Sequence, residues 1–264
     1  MEEANSKVKG DIDNYWDVVS SLSELIRELK RYLKKDIENK NKKSDIYTSY
    51  GNKVSLKKLY ERESSKHSNS GFNNKFFVTK GFKIEKPKKD FDWSVIISVD
   101  ISGSMYGKID VALHGVILLA EVLSIKNIEF KIVAFNSVYF NIKEFNEELN
   151  TDSRVKIAGV KLLANRYSSN LDYQTLSRHF EGIKDRTAQK KIVITISDGI
   201  IREDIDDFFQ EIKDYDDIKF IGIGIGGNTQ DIEKHYPLGV HIKKINDLPL
   251  TVYRLLYGII KESD

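Results

Sequence analysis

The sequence predicts a doubly wound α/β domain on a mostly parallel sheet with one antiparallel edge strand, preceded by an extension of helix and short strands. Three observations carry this. From Asp92 onward, short apolar runs rich in β-branched residues alternate with segments whose apolar residues recur at helical spacing, the pattern of strand–helix–strand units. The run Trp93 to Val99 is apolar almost throughout, as strands covered on both faces are. The runs Ile128–Phe135 and Val138–Ile142 are joined by only Asn136-Ser137, which reads as a hairpin. The chain then divides into an N-terminal extension, residues 1–90, and the α/β domain, residues 91–264.

The extension opens with the stripe Ile12, Tyr15, Trp16, Val19, Leu22, Leu25, Ile26, Leu29 and Leu33, which predicts a helix from about Asp11 to Lys35. Left bare, that stripe would be a large apolar patch, so the helix is expected to pack on the α/β domain or on a partner. Glu61 to Asn74 is polar and serine-rich, a loop. Phe76 to Ile84 reads as strand-like, and the segment from Tyr50 to Ile84 is expected to hold strands that join or cover the sheet. Within the domain, the strand Trp93–Val99 precedes a helix carrying Ile109, Ala112, Leu113, Val116, Ala120 and Leu123. The hairpin follows. Tyr173, Leu176, Phe180 and Ile183 mark the next helix, Lys191 to Ser197 a second buried strand, and Ile205, Phe208, Phe209 and Ile212 another helix. Ile218 to Ile225 is a further strand. A last helix starts near Asp247-Leu248-Pro249, with proline in its first turn, and turns Val252, Leu255, Leu256 and Ile259 inward.

The stretch of greatest chemical content is Asp100-Ile101-Ser102-Gly103-Ser104-Met105. It sets one carboxylate and two hydroxyls on a strand-to-helix turn at the carboxyl end of a central strand, where open α/β sheets bind ligands. Oxygen-only donors suit a hard divalent cation such as Mg²⁺, which keeps several of its waters. The competing reading is that Asp100 and Ser104 only cap the next helix. A second buried strand runs directly into Asp198-Gly199.

The arrangement Asp-x-Ser-x-Ser followed by Met105 resembles the metal-ion-dependent adhesion site of von Willebrand factor A (vWA) domains. The resemblance implies that Asp198 is the distal carboxylate, bridged to the metal by water. In the third loop the family places a Thr six residues before a helical Leu; counted back from Leu176, that position is Asn170. Ser168, Ser169 and Asp172 stand beside it. A carboxylate binds Mg²⁺ better than an amide carbonyl does, which makes Asp172 a candidate ligand beside Asn170 and Ser169. Ser169 or Asn170 could equally cap the following helix.

An Asn-x-Asp at that point, then a helix and a strand ending Ser-Asp-Gly, is similar to the vWA domain of cobaltochelatase-type proteins. Tyr50-Gly51, the run Val54 to Tyr60 and the run Lys75 to Lys80 extend the likeness, which spans about residues 46 to 262. It implies work beside an AAA+ ATPase of the MoxR and chelatase class. The glycine usual after Asn-x-Asp is Tyr173 here, which sets the chain apart from chelatase activity itself. The function implied is a metal-dependent protein–protein interaction module without catalytic residues. Mg²⁺, or Mn²⁺ or Ca²⁺ in its place, would keep one position open for an Asp or Glu of a partner protein. The alternative is a subunit of a metal chelatase or another enzyme that uses the cation directly. No general base for that chemistry is evident in the sequence.

Composition narrows the classes further. The chain has no cysteine, which excludes disulfides and thiolate metal sites. Residues 1–92 carry 21 Lys and Arg against 15 Asp and Glu, and the remainder 21 against 25. A basic front half raises nucleic acid as a partner, but its aromatics lack the interleaving of a base-stacking platform. Lys40 to Lys43 and Lys86 to Lys89 read instead as solvated linkers. No apolar run approaches the ~20 residues of a spanning helix, and Met1 to Asn5 is neither signal peptide nor anchor, so the expected location is the cytoplasm. Gly222, Gly224 and Gly227 match a dinucleotide fingerprint but lie inside and just after a strand, where small residues serve close packing. His67, His114, His179, His235 and His241 form no zinc-binding pair.

Overall fold

The structure, a computed structural model, describes residues 2–5, 10–40, 44–48, 77–81, 92–164, 169, 171–199, 201, 205–226, 230–244, 247–248, 250–252 and 254–255. Its elements are β1 (Glu2–Asn5), α1 (Ile12–Ser21), α2 (Ser23–Lys40), β2 (Ser44–Thr48), β3 (Phe77–Gly81), β4 (Trp93–Asp100), α3 (Ile109–Ile125), β5 (Glu129–Phe135), β6 (Val138–Lys143), α4 (Thr151–Gly159), α5 (Asp172–Ile183), β7 (Lys190–Ser197), α6 (Asp206–Glu211), β8 (Ile218–Ile225), α7 (Gln230–His235) and β9 (Leu238–Ile242). The chain divides into two compact units: Met1–Leu33 with Lys89–Asp264, and Lys34–Lys88.

The larger unit is the doubly wound α/β fold that the strand–helix alternation predicts. Its seven-stranded sheet runs β1-β6-β5-β4-β7-β8-β9. All neighbours are parallel except β5 and β6. That antiparallel pair is the Asn136-Ser137 hairpin, closed by the Asn136 side chain accepting the Val138 N–H at 2.8 Å. The hairpin does not supply the outermost strand. β1 pairs beyond β6, Glu2 opposite Val138 and Asn5 opposite Asn141. Four residues this polar carry no alternation to announce a strand.

β4 lies at the centre and all eight of its residues are buried. Such burial on both faces follows from helices on both sides of a parallel sheet. On one face, α3 is buried along most of its length, from Ile109 to Leu123. It is closed over by α1, which packs on α3 and α4. The expected N-terminal stripe thus covers the α/β core, with Tyr15, Leu22, Ile26 and Leu29 buried. A turn at Leu22 divides the predicted helix in two. There the Ser21 hydroxyl donates to the Val18 carbonyl at 2.7 Å, a local bond that competes with helix continuation. Trp16 remains exposed, with the Arg154 guanidinium 4.9 Å from its ring centre.

A polar tie pins α1 down. The Tyr15 hydroxyl donates to Glu121 Oε1 at 2.9 Å, and Arg154 Nε donates to the same oxygen at 2.9 Å. Tyr15 and Glu121 are buried, so a hydrogen bond broken here would leave a polar atom without water, costing about 1–3 kcal/mol.

On the other face, Ile96, Val133, Leu176, Val193, Phe208, Phe220 and Tyr236 belong to one apolar cluster. Its rings meet edge to face, Phe208 with Phe220 at 5.5 Å and Phe209 with Tyr236 at 5.6 Å. Gly222 of β8 serves this packing: a Cβ there would stand 2.6 Å from the Tyr236 ring. Of the residues that the predicted last helix turns inward, Val252 is buried and Leu255 is half-buried; Leu256 and Ile259 lie outside the described residues.

In the smaller unit, β2 and β3 pair antiparallel, Ser44 opposite Gly81 and Thr48 opposite Phe77. They form a two-stranded sheet of their own instead of joining the large one. The loop expected at Glu61–Asn74 and the strand content between Tyr50 and Phe76 lie outside the described residues, as does His67.

Candidate functional site

The site is built by register. Val99 of β4 stands opposite Ile196 of β7, so the two strands end side by side and their loops leave from the same edge. Asp100, the last residue of β4, is fully buried. Its Oδ1 accepts the Ser102 N–H at 2.7 Å, the short Asx-type bond that turns a chain sharply. A 3₁₀ turn, Gly103–Met105, follows, with Met105 buried beneath it. The loop then enters α3 through a Lys108 N–H to Met105 carbonyl bond of 2.8 Å. Neither Ser102 at the 3₁₀ turn nor Lys108 at the start of α3 makes a side-chain cap bond. Capping of α3 therefore does not explain Asp100 and Ser104.

Their oxygens instead face each other and the next loop. Ser102 Oγ lies 3.1 Å from Ser104 Oγ. The Ser104 hydroxyl donates to Asp198 Oδ1 at 3.3 Å, and Lys108 Nζ donates to Asp198 Oδ2 at 2.7 Å. Asp198 has 0% exposure. The Ser197 hydroxyl, at the end of β7, donates to Asp100 Oδ2 at 2.9 Å and accepts the Gly199 N–H at 3.2 Å. Burial pushes the Asp100 carboxyl above its usual range, the Asp198 charge adds to that, and the Ser102 and Ser197 bonds oppose it.

The third loop contributes Asp172, which begins α5 and is 6% exposed. The residue preceding the helix is Leu171, with no side-chain cap bond. Ser169 is exposed; Asn170, Ser168 and Tyr167 lie outside the described residues. Tyr236, between α7 and β9, feels the charges of both loops. It is buried, and its hydroxyl is held well above the usual tyrosine range by burial and by the Asp172 and Asp100 carboxylates. Both charges thus act on one hydroxyl beneath the loops.

Sequence reasoning missed three members of this neighbourhood. Ser197 carried a faint signal, a hydroxyl closing an apolar strand. Lys108 was a cation in the same loop as the motif. Tyr236 gave none, since only the crossover from β8 brings it here.

The donor set fits a hard cation. It is oxygen-only, with three carboxylates buried at the ends of two neighbouring strands and one helix, and such charges are tolerated only when paired or coordinated. Among the described residues no group of three or more His, Cys, Asp and Glu could hold a metal alone, so the serine hydroxyls would have to complete any metal shell. A cavity of about 790 Å³ lies at the opposite end of the sheet between Phe130, Lys143, Glu144 and Arg186. Gly227 of the dinucleotide-like pattern lies outside the described residues. Gly222 and Gly224 lie within β8, and His235 pairs with Asp206 at 2.8 Å.

No protein-family model and no curated protein matches the chain. Solved structures similar to it include proximal thread matrix protein 1 from the mussel byssus, at 17% identity and a TM-score of 0.48 over 63% of this chain and 46% of that one. BatB from Bacteroides thetaiotaomicron is 14% identical, with a TM-score of 0.48 over 64% of this chain and 98% of its own. A von Willebrand factor type A structure from Catenulispora acidiphila is 16% identical, with a TM-score of 0.44 over 61% and 41%. This chain thus spans less than half the length of the mussel and Catenulispora proteins. At these values the likeness adds nothing to what the strand order already states, a doubly wound, mostly parallel sheet.

Proposed function

We propose that this chain is a metal-dependent protein–protein interaction module. The observation that carries the reading is the row of oxygens Ser102 Oγ, Ser104 Oγ and Asp198 Oδ1, each within 3.3 Å of the next, beside the buried Asp100. In this reading the Ser102 and Ser104 hydroxyls bind Mg²⁺, with Mn²⁺ or Ca²⁺ able to replace it. Asp100 and Asp198 orient the water around it, and Asp172 or Asn170 supplies the third loop's contact, with Ser169 as a further donor. Bound there, the cation supplies positive charge to an Asp or Glu side chain of a partner protein. Asp100, held by Ser102 and Ser197, stiffens the loop so that both hydroxyls keep their direction without reorganisation. Any exclusion of water by a docked partner would strengthen the contact.

The sequence resemblance further suggests a partner of the MoxR or chelatase AAA+ class, with this chain as a non-catalytic adaptor in the cytoplasm. Residues 91–264 would carry the site and residues 1–90 would be the extension. No described helix is long and apolar enough to cross a membrane. Titration calorimetry with Mg²⁺ tests the site: wild type binds and Asp100→Ala does not. Equal binding by both would sink the assignment. For the interaction, the ATPase encoded nearest this chain's gene should be retained by the immobilised protein in Mg²⁺ and lost in EDTA. Retention under both conditions would refute a metal-bridged contact, and turnover by the isolated chain would favour an enzyme.

A further inference from the structure

Lys108 ends the metal-motif loop, and its ammonium donates to Asp198 Oδ2 at 2.7 Å. The lysine side chain is 32% exposed while the carboxylate is fully buried. Its stem lies in a fitted track. A Cβ at Gly226 would stand 3.3 Å from Lys108 Cε and 3.4 Å from Cδ, and Gly226 has a φ of +109° that side-chain-bearing residues rarely adopt. The His241 ring is bonded to the Gly226 carbonyl, which anchors the track from the far side. The same carboxylate turns its other oxygen, Oδ1, to the Ser104 hydroxyl at 3.3 Å. Asp198 is therefore shared between the two serines' side of the site and a lysine.

We propose that the Lys108 ammonium is a tethered rival of the divalent cation, one that must leave Asp198 before the site can hold metal. This rests on the metal reading above. A buried carboxylate without a counter-charge is strongly unfavourable, which is why the lysine pairs with it. Two cations a few ångströms apart repel, so lysine and metal cannot both lie close to Asp198 at low cost. The pair therefore lowers the intrinsic metal affinity. An incoming partner carboxylate that takes up the freed ammonium would raise that affinity by linkage, so metal and partner would bind cooperatively.

The test is Mg²⁺ titration of the full chain as wild type, Lys108→Met and Lys108→Arg, with ¹⁵N-lysine NMR of the wild type alongside. Lys108→Met should bind about tenfold tighter than wild type, and Lys108→Arg, which keeps the charge, should stay near it. The Lys108 Nζ resonance, protected by its ion pair in metal-free protein, should move and exchange faster with solvent at saturating Mg²⁺. Equal or weaker binding by Lys108→Met overturns the proposal while leaving the metal site standing. So does an Nζ resonance unchanged in metal-saturated wild type. If neither wild type nor Lys108→Met binds Mg²⁺, the metal reading fails and this proposal with it.

Discussion

His179 gives the fold a specific sensitivity to acid. It sits on α5 with 0% exposure, its ring centre 5.7 Å from that of Tyr139. Among the described residues neither of its ring nitrogens has a hydrogen-bond partner. Burial, with the Lys131 charge adding to it, lowers the imidazole pKa from 6.5 to about 3. The folded protein therefore keeps His179 neutral across a range in which the unfolded chain protonates it. Between pH 6.5 and about 3 the unfolded state binds more protons, so this residue's contribution to stability falls as the pH falls. At about 1.4 kcal/mol per pH unit, the loss reaches ~2 kcal/mol at pH 5 and grows until the folded pKa is met. The perturbation is His179→Leu, close in volume and without a titrating group. At pH 7.5 the variant should lie within about 1.5 kcal/mol of wild type, since two unpaired buried nitrogens leave with the ring. Urea unfolding at pH 7.5, 6.0 and 5.0 should show the variant gaining on wild type by ~2 kcal/mol across the series. Carboxylates common to both proteins cancel in that difference. Parallel pH profiles would refute the reasoning, because a histidine that protonates in place cannot be buried as described.

Three other outcomes are expected. Tyr15→Phe should cost about 1–2 kcal/mol in urea unfolding by removing one donor from buried Glu121; a loss below about 0.3 kcal/mol would mean that α1 is held by its apolar face alone. Gly222→Ala should destabilise by about 1–3 kcal/mol, since its Cβ would meet the Tyr236 ring at 2.6 Å and nearby side chains would have to shift; an unchanged urea midpoint would contradict that packing. In Mg²⁺ titrations, Asp172→Ala should bind more weakly than Asn170→Ala, and the reverse order would hand the third loop's contact to Asn170.

Part of this molecule was legible in the chain because the physics involved is local. The turn from Val99 through Met105 joins a continuous apolar strand to a periodic helix, so Asp100, Ser102 and Ser104 could be placed on one loop before any fold was known. The Asn136-Ser137 hairpin is as local, since two residues between two strands leave few ways to turn. The stripe from Ile12 to Leu29 showed that a helix must bury one face, and burial of Tyr15, Leu22, Ile26 and Leu29 bears that out. What the stripe buries against was beyond it. Glu121 and Arg154 lie on α3 and α4, more than a hundred residues along, and an amphipathic pattern records a need for cover without naming the cover.

The same limit separates the candidate metal residues from the environment that sets their chemistry. Asp198 could be read from its strand end, but its bond to Lys108 spans 90 positions, and only the alignment of β4 with β7 brings them together. Tyr236 comes under the charges of Asp100 and Asp172 through a crossover that no local pattern encodes. β1 shows the limit most plainly. Glu2 to Asn5 have little intrinsic preference for a strand, and they form one because β6 offers unpaired backbone groups along an open edge. Spacing along the chain reports which side chains one element presents together. Which elements become neighbours is decided by long-range strand pairing and burial, where each contact's favourable energy appears only once the whole sheet has assembled.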